Sequence, residues 1–256
     1  MKKVWATLLL GLWVHGAMAA ESLTIAAAAD LANCLDALSA AFRQTYPDAE
    51  LKTTTGASGS FFAQIKNGAP FDVFLSADMN YPRELVKAGL ADEASLTRYA
   101  TGHIVLWTLS STLAVEKGLD ALASANVGRV AIANPDVAPY GRAARAALQA
   151  AGLWDSVQSK LVFGENIGQT AQFVRSGNVD AGIVALSFVK APGAAGLGRY
   201  YEIPEQLYPT LEQGAVITHH GQDNPLAKAY IAFLRSPAAR VVFDRYGFVL
   251  PAGPGR

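Results

Sequence analysis

The chain has 256 residues, of which 51% are hydrophobic, and carries 21 Lys and Arg against 21 Asp and Glu, a formal net charge of zero. This composition supports a packed core and excludes a disordered chain, and the balanced charge, with no basic cluster, excludes a nucleic-acid-binding surface. The single cysteine, Cys34, excludes an internal disulfide, so the core must stabilise the fold; Cys34 itself falls in a helical pattern, where a small buried apolar side chain is expected.

Residues 1–19 have the form of a secretory signal. Lys2 and Lys3 make a basic start, residues 7–14 an apolar run too short to span a bilayer, and Ala17-Met18-Ala19 a small-x-small cleavage site. Cleavage after Ala19 would leave 19 basic and 21 acidic residues, a net charge of −2. Residues 23–28 read as a buried strand. Asp30 is placed to cap a helix over 31–46, in which Leu31, Leu35, Leu38 and Phe42 recur at helical spacing. Residues 51–55 form a second strand. A Gly/Ser/Thr turn over 54–60 then opens an amphipathic helix of about two turns. The loop Asn67-Gly68-Ala69-Pro70 leads to a third strand at 72–75, followed by a helix over 80–88 closed by Gly89. Strand alternating with helix is the pattern of a parallel sheet covered on both faces.

The alternation then repeats. Residues 103–108 are β-rich and 119–124 helical. A strand at 130–133 ends at Asn134-Pro135, and the turn 137–141 opens a helix over 142–151. A strand at 160–163 leads through Gly164-Glu165-Asn166 into a helix over 167–176, and 181–186 is a further strand. Residues 213–218 read as a strand returning to the first lobe, followed by helices over 225–234 and 237–246 and a short strand at 248–251. The expected class is α/β, in two lobes: residues 20–102 with 218–256, and 103–217. Crossover strands near 103–108 and 213–218 would form the hinge.

In open α/β sheets, ligands sit beyond the carboxyl ends of the strands. Four turns fall there, at 28–30, 56–58, 138–140 and 166–168, and each precedes a helix. A turn of small residues that opens a helix offers free backbone N–H groups and the positive end of the helix dipole, and Ser58 adds a hydroxyl. Any one of these turns could equally be an ordinary N-cap. Two lobes with two such turns each would make an anion site between them.

These residues carry a resemblance. Ala26-Ala27-Ala28-Ala29-Asp30-Leu31, Gly56-Ala57-Ser58-Gly59, the block from Gly68 to Asp78, Asn134-Pro135 with Ala138-Pro139-Tyr140-Gly141, and Glu165-Asn166-Ile167 resemble the periplasmic molybdate-binding proteins of ABC importers, which are type II periplasmic binding proteins. The resemblance covers nearly the whole chain after residue 19. It implies two lobes, each a mixed, mostly parallel sheet flanked by helices, with the ligand in the cleft. It implies a periplasmic monomer that needs no cofactor, captures molybdate or tungstate and delivers it to the ABC permease subunit of the inner membrane. Molybdenum would be held only as the oxyanion, with no direct metal ligands. Carried over by residue, Ser58 would donate its hydroxyl and backbone N–H, Tyr140 its backbone N–H with or without its hydroxyl, and Ile167 its backbone N–H alone. Ala29 and Asp30 occupy the first-loop position. Charge would be compensated by converging dipoles and neutral donors, and selectivity over sulfate would come from cavity size.

The first loop departs from the family. Many members carry Ser or Thr where this chain has Ala29, which lacks a hydroxyl, and Asp30, which when ionised only accepts. Asp30 is expected to cap its own helix, leaving the loop to contribute backbone N–H groups. The sharper alternative is that Asp30 accepts a proton from hydrogen phosphate, which would change the substrate. Sulfate and phosphate are thus the alternative ligands. A serine hydrolase built on Ser58 is the alternative of another class, but Ser60 stands where the second glycine of a nucleophile elbow belongs. Glu165 has no partner carboxylate or histidine placed for catalysis. Asp78 reads as a turn or cap residue. His219 and His220, adjacent on a strand, would diverge and make no metal site.

Overall fold

The computed structural model describes residues 22–251. The signal-like segment 1–19 lies outside the described residues. The first lobe starts with strand β1 (Ser22–Ala28), a 3-10 turn at Ala29–Leu31, and helix α1 (Leu35–Arg43). Strand β2 (Glu50–Gly56), helix α2 (Ser58–Lys66), strand β3 (Val73–Ser76), helix α3 (Asn80–Lys87) and strand β4 (Thr97–Gly102) follow. The second lobe takes strand β5 (Ile104–Thr108), a 3-10 stretch at Val115–Ala123, strand β6 (Val130–Ala133), helix α4 (Pro139–Ala150) and helix α5 (Trp154–Val157). It continues with strand β7 (Leu161–Gly164), helix α6 (Ile167–Arg175), strand β8 (Ala181–Ala185), helix α7 (Leu186–Lys190) and strand β9 (Arg199–Glu202). Strand β10 (Leu211–Ile217) and helices α8 (Pro225–Phe233) and α9 (Pro237–Arg245) return to the first lobe.

The two sheets have the same plan. The first runs β2-β1-β3-β10-β4 and the second β7-β6-β8-β5-β9. In each, the first three strands pair in parallel, and the fourth, β10 or β5, is antiparallel to both its neighbours. Two expectations are corrected by this topology. Residues 211–217, assigned above to the second lobe as far as 217, belong to the first sheet, because β10 fills the gap between β3 and β4. The second crossing is therefore not β10 itself but the stretch 203–210 that joins β9 to it. The first crossing is His103, between β4 and β5. Strands β4 and β9 and helix α7 were not read in the sequence at all.

Apolar periodicity dictates the layers. Leu35, Leu38 and Phe42 of α1 are buried with Leu23, Ile25 and Leu75 of the sheet and with Tyr230 and Phe243 of the C-terminal helices. Each such side chain contributes about 1.5–3 kcal/mol by leaving water. The opposite face is covered by α2 and α3, through Phe61, Ile65 and Leu85. Cys34 is buried, its thiol donating to the Leu31 carbonyl at 3.1 Å. In the second lobe Gly141 permits close packing, since a Cβ there would lie 2.2 Å from the Ala133 carbonyl oxygen, at the end of β6. Ala28, Ala29, Ala57 and Ala77 of the first lobe join the core of the second, so the two cores meet at the strand ends.

Candidate functional site

The four turns converge. Ala29, Asp30, Ser58, Tyr140 and Ile167 line one small cavity, together with Gly56, Ala57, Ala77, Ala138 and Pro139. No Lys, Arg or His is among its lining residues. Ser58 is the first residue of α2, after Ala57, which makes no side-chain cap. The Ser58 hydroxyl oxygen accepts the Ala77 N–H at 2.9 Å, which fixes the oxygen and leaves the hydroxyl hydrogen free to donate. Tyr140 is the second residue of α4, behind Pro139, so its N–H has no partner within the helix. Ile167 opens α6. The Asn166 cap takes the N–H of Gln169 at 3.0 Å and leaves those of Ile167 and Gly168 uncapped.

Asp30 does not cap a helix. It sits in the 3-10 turn at Ala29–Leu31, and α1 begins only at Leu35, with Cys34 before it making no side-chain cap. The turn aims the Asp30 carboxyl across the cleft. Its Oδ2 accepts the Tyr140 hydroxyl at 2.9 Å and the Gln213 amide at 2.9 Å, while Oδ1 is buried with no partner. The Ser187 hydroxyl of α7 donates to the Asp30 carbonyl at 2.6 Å. Burial pushes the Asp30 carboxyl up to about 7 from an ordinary 3.8, opposed only in part by the Tyr140 hydroxyl, the Asp30 N–H, the Gln213 amide and the Leu31 N–H. The Tyr140 hydroxyl is itself raised, by burial first and then by the Asp30 charge. Gly102 makes room for this group, since a Cβ there would meet the Tyr140 hydroxyl at 2.1 Å.

Further bonds cross between the lobes. The Gly59 N–H of α2 donates to the Val137 carbonyl at 2.9 Å. Arg142, the cation nearest the turns in sequence, faces away from the cavity and pairs with Asp78 at 2.5 Å and the Tyr81 hydroxyl at 3.0 Å. Asp78 also takes the Asn80 N–H at 2.9 Å, the turn role expected of it. These bonds hold the two lobes shut around the cavity.

Gln213, Ser187 and Ala77 were not among the expected site residues, and the one clue to any of them is that Gln213 is a polar residue in a largely apolar strand. Ser58 has no histidine partner, and its oxygen is committed to a backbone N–H, which removes the basis of a nucleophile. His219 and His220 are exposed, and no group of three or more potential metal ligands occurs among the described residues.

The bacterial extracellular solute-binding protein family matches residues 23–249. The molybdate-binding protein ModA of Azotobacter vinelandii is 42% identical over 199 residues, 77% of this chain and 78% of the relative. ModA of Rhodobacter capsulatus is 40% identical over 194 residues, 76% of this chain and 75% of the relative. The solved structure of the Azotobacter vinelandii periplasmic molybdate-binding protein superposes with a TM-score of 0.85 at 32% identity, covering 90% of this chain and all of that one. The fold is that of the type II periplasmic binding proteins. The chain therefore belongs to the bacterial extracellular solute-binding proteins, the family of these molybdate-binding relatives, and is a substrate-binding protein for transport and not an enzyme.

Proposed function

We propose that this protein captures molybdate, and by the same donors tungstate, as a monomer in the periplasm and delivers it to an ABC permease. One observation carries the reading: helix starts from both lobes converge on a single small cavity lined by no cationic side chain. A cation would bind any anion strongly and with little regard to shape, whereas fixed N–H and O–H dipoles reward an anion whose oxygens match their positions. The Ser58 hydroxyl and N–H and the backbone N–H groups of Tyr140 and Ile167 are the proposed donors, with the Ala29–Asp30 turn as the fourth wall. The Tyr140 hydroxyl serves Asp30. Closure buries the anion and reshapes the surface available to the permease. The ligand drives closure because it binds the shut form better.

A second reading has its own observation, since Asp30 lines the cavity and an ionised carboxylate there would accept the proton of hydrogen phosphate. Thermal unfolding of anion-stripped protein with molybdate, tungstate, sulfate and phosphate in turn separates the two. A ligand that binds only the folded protein raises the midpoint with the logarithm of its concentration. Shifts with molybdate and tungstate support the first reading, a shift with phosphate alone supports the second, and no shift with any anion rejects both.

A further inference from the structure

We propose that Asp30 meets the anion as a neutral carboxylic acid, so that each dianion captured brings one proton from solvent onto the Asp30 carboxylate. The inference rests on the oxyanion reading above. Two neutral donors, the Tyr140 hydroxyl and the Gln213 amide, both reach Oδ2, while Oδ1 is buried and unpartnered. The backbone N–H groups of Asp30 and Leu31 lie near the carboxyl and favour its charge, but neither makes a hydrogen bond to Oδ1, and no acceptor for an acid proton is within reach of it. Asp30 lines the cavity, so the occupant is the group left to meet it. An ionised carboxylate would lie buried beside a dianion with no cation between them, a costly arrangement. A protonated one supplies the O–H donor that Ala29 lacks at the first-loop position.

The surroundings add no competing charge. The titratable groups around Asp30 are Tyr140 on α4, Tyr99 on β4 and Cys34 before α1, all pushed up by burial first and then by the Asp30 charge, and so neutral at pH 7. Tyr208, beyond Tyr140, is also raised by burial. The charged residues of the adjoining elements are engaged elsewhere or exposed. Arg142 of α4 pairs with Asp78, Glu212 of β10 with Arg98 of β4, and His103 with Glu205. Arg175 of α6, Lys190 of α7 and Glu50 and Lys52 of β2 are exposed. In this setting the Asp30 carboxyl is already held at about 7, before any anion adds its charge.

The sign follows from linkage. Opening the cleft frees Asp30 from Tyr140 and admits water, which returns the carboxyl toward 3.8, whereas closure holds it near 7 or above. Between those values the closed, liganded form binds one proton more than the open form, so affinity falls as pH rises. The acid also acts as a specificity determinant. Its O–H suits an anion whose oxygens are all acceptors and opposes hydrogen phosphate, whose own O–H would face it.

The test is titration calorimetry of the anion-stripped protein with sodium molybdate, at one pH in buffers of low and high ionisation enthalpy, and then at pH 6 and pH 7. The expected result is a binding heat at pH 6 that changes with the buffer by about one proton, and affinity about five- to tenfold weaker at pH 7 than at pH 6. In Asp30→Asn both dependences should vanish, because the amide cannot titrate. Molybdate binding with the same heat in every buffer, or with a pH slope that survives in Asp30→Asn, overturns the inference and leaves the receptor reading intact. Phosphate bound more tightly than molybdate, without proton uptake, makes Asp30 an acceptor and overturns it from the other side. No molybdate binding at all rejects the oxyanion reading and this inference with it.

Discussion

Gly59 separates the folding of each lobe from the meeting of the two. It is the second residue of α2, and an added Cβ would lie 2.7 Å from the Val137 carbonyl oxygen, 2.8 Å from the Tyr81 hydroxyl and 3.1 Å from the Val137 Cα. The Tyr81 ring tip can shift at small cost. Val137 cannot shift alone, because it is backbone of the opposite lobe and accepts the Gly59 N–H itself. Gly59→Ala should therefore obstruct closure. With the cleft open, by contrast, alanine favours the helix over glycine by about 1 kcal/mol. Overpacking of this kind costs about 1–3 kcal/mol, which corresponds to roughly 5- to 150-fold in affinity. The assay pairs molybdate calorimetry with thermal unfolding of the ligand-free protein. The expected outcome is weakened binding with an unfolding midpoint unchanged or raised. Full affinity in Gly59→Ala would show that the liganded protein does not use this contact, and would refute the account of closure.

Gly141→Ala gives the contrasting result, because its Cβ would strike Ala133 within one lobe. It should lower the ligand-free unfolding midpoint, by about 1–3 kcal/mol in stability, and an unchanged midpoint would contradict the packing of α4 on β6. Ser58→Ala removes the hydroxyl proposed as an anion donor and orphans the Ala77 N–H. Molybdate affinity should fall about 10- to 100-fold with a smaller loss of stability, and unchanged affinity would strike Ser58 from the ligand set. Arg142→Ala breaks the pair with Asp78 and the stacking on Tyr81, whose ring centre is 5.5 Å away. Since the pair is partly exposed, about 1 kcal/mol is expected, seen as dissociation about fivefold faster in stopped-flow fluorescence and shrinking in high salt. Dissociation at the wild-type rate would remove the pair from the closed state.

What could be read in the sequence was local. Period-3.6 stripes such as Leu35, Leu38 and Phe42, small-residue turns such as Gly56-Ala57-Ser58, and the Asn166 start of α6 are set by neighbours a few residues apart. These features placed most of the strands and helices and all four turns that line the cavity. What could not be read was long-range. Asp30 looked like an N-cap because an aspartate before an apolar run commonly is one. Its actual partners, Tyr140 and Gln213, lie 110 and 183 residues away, and no local pattern links them. The lobe boundary was drawn at 217/218, at the end of the returning strand and not before it, for a related reason. A strand's composition shows that it is buried but not which sheet buries it. Strand β9, largely exposed at a sheet edge, lacks the apolar run that signals a strand.

The placement of β10 bears on the order in which the molecule can be made. Strand β4 reaches its sheet only through β10, which pairs with β3 on one side and β4 on the other. The five strands of the second sheet, in contrast, are contiguous in the chain, from Ile104 to Glu202. A chain emerging from its N-terminus can therefore complete the later-numbered lobe while the earlier one still lacks its fourth strand and the two helices, α8 and α9, that cover its face. The lobe begun first would be among the last to be completed, and its half-built sheet would wait with β3 open along one edge, the kind of surface that invites wrong pairing.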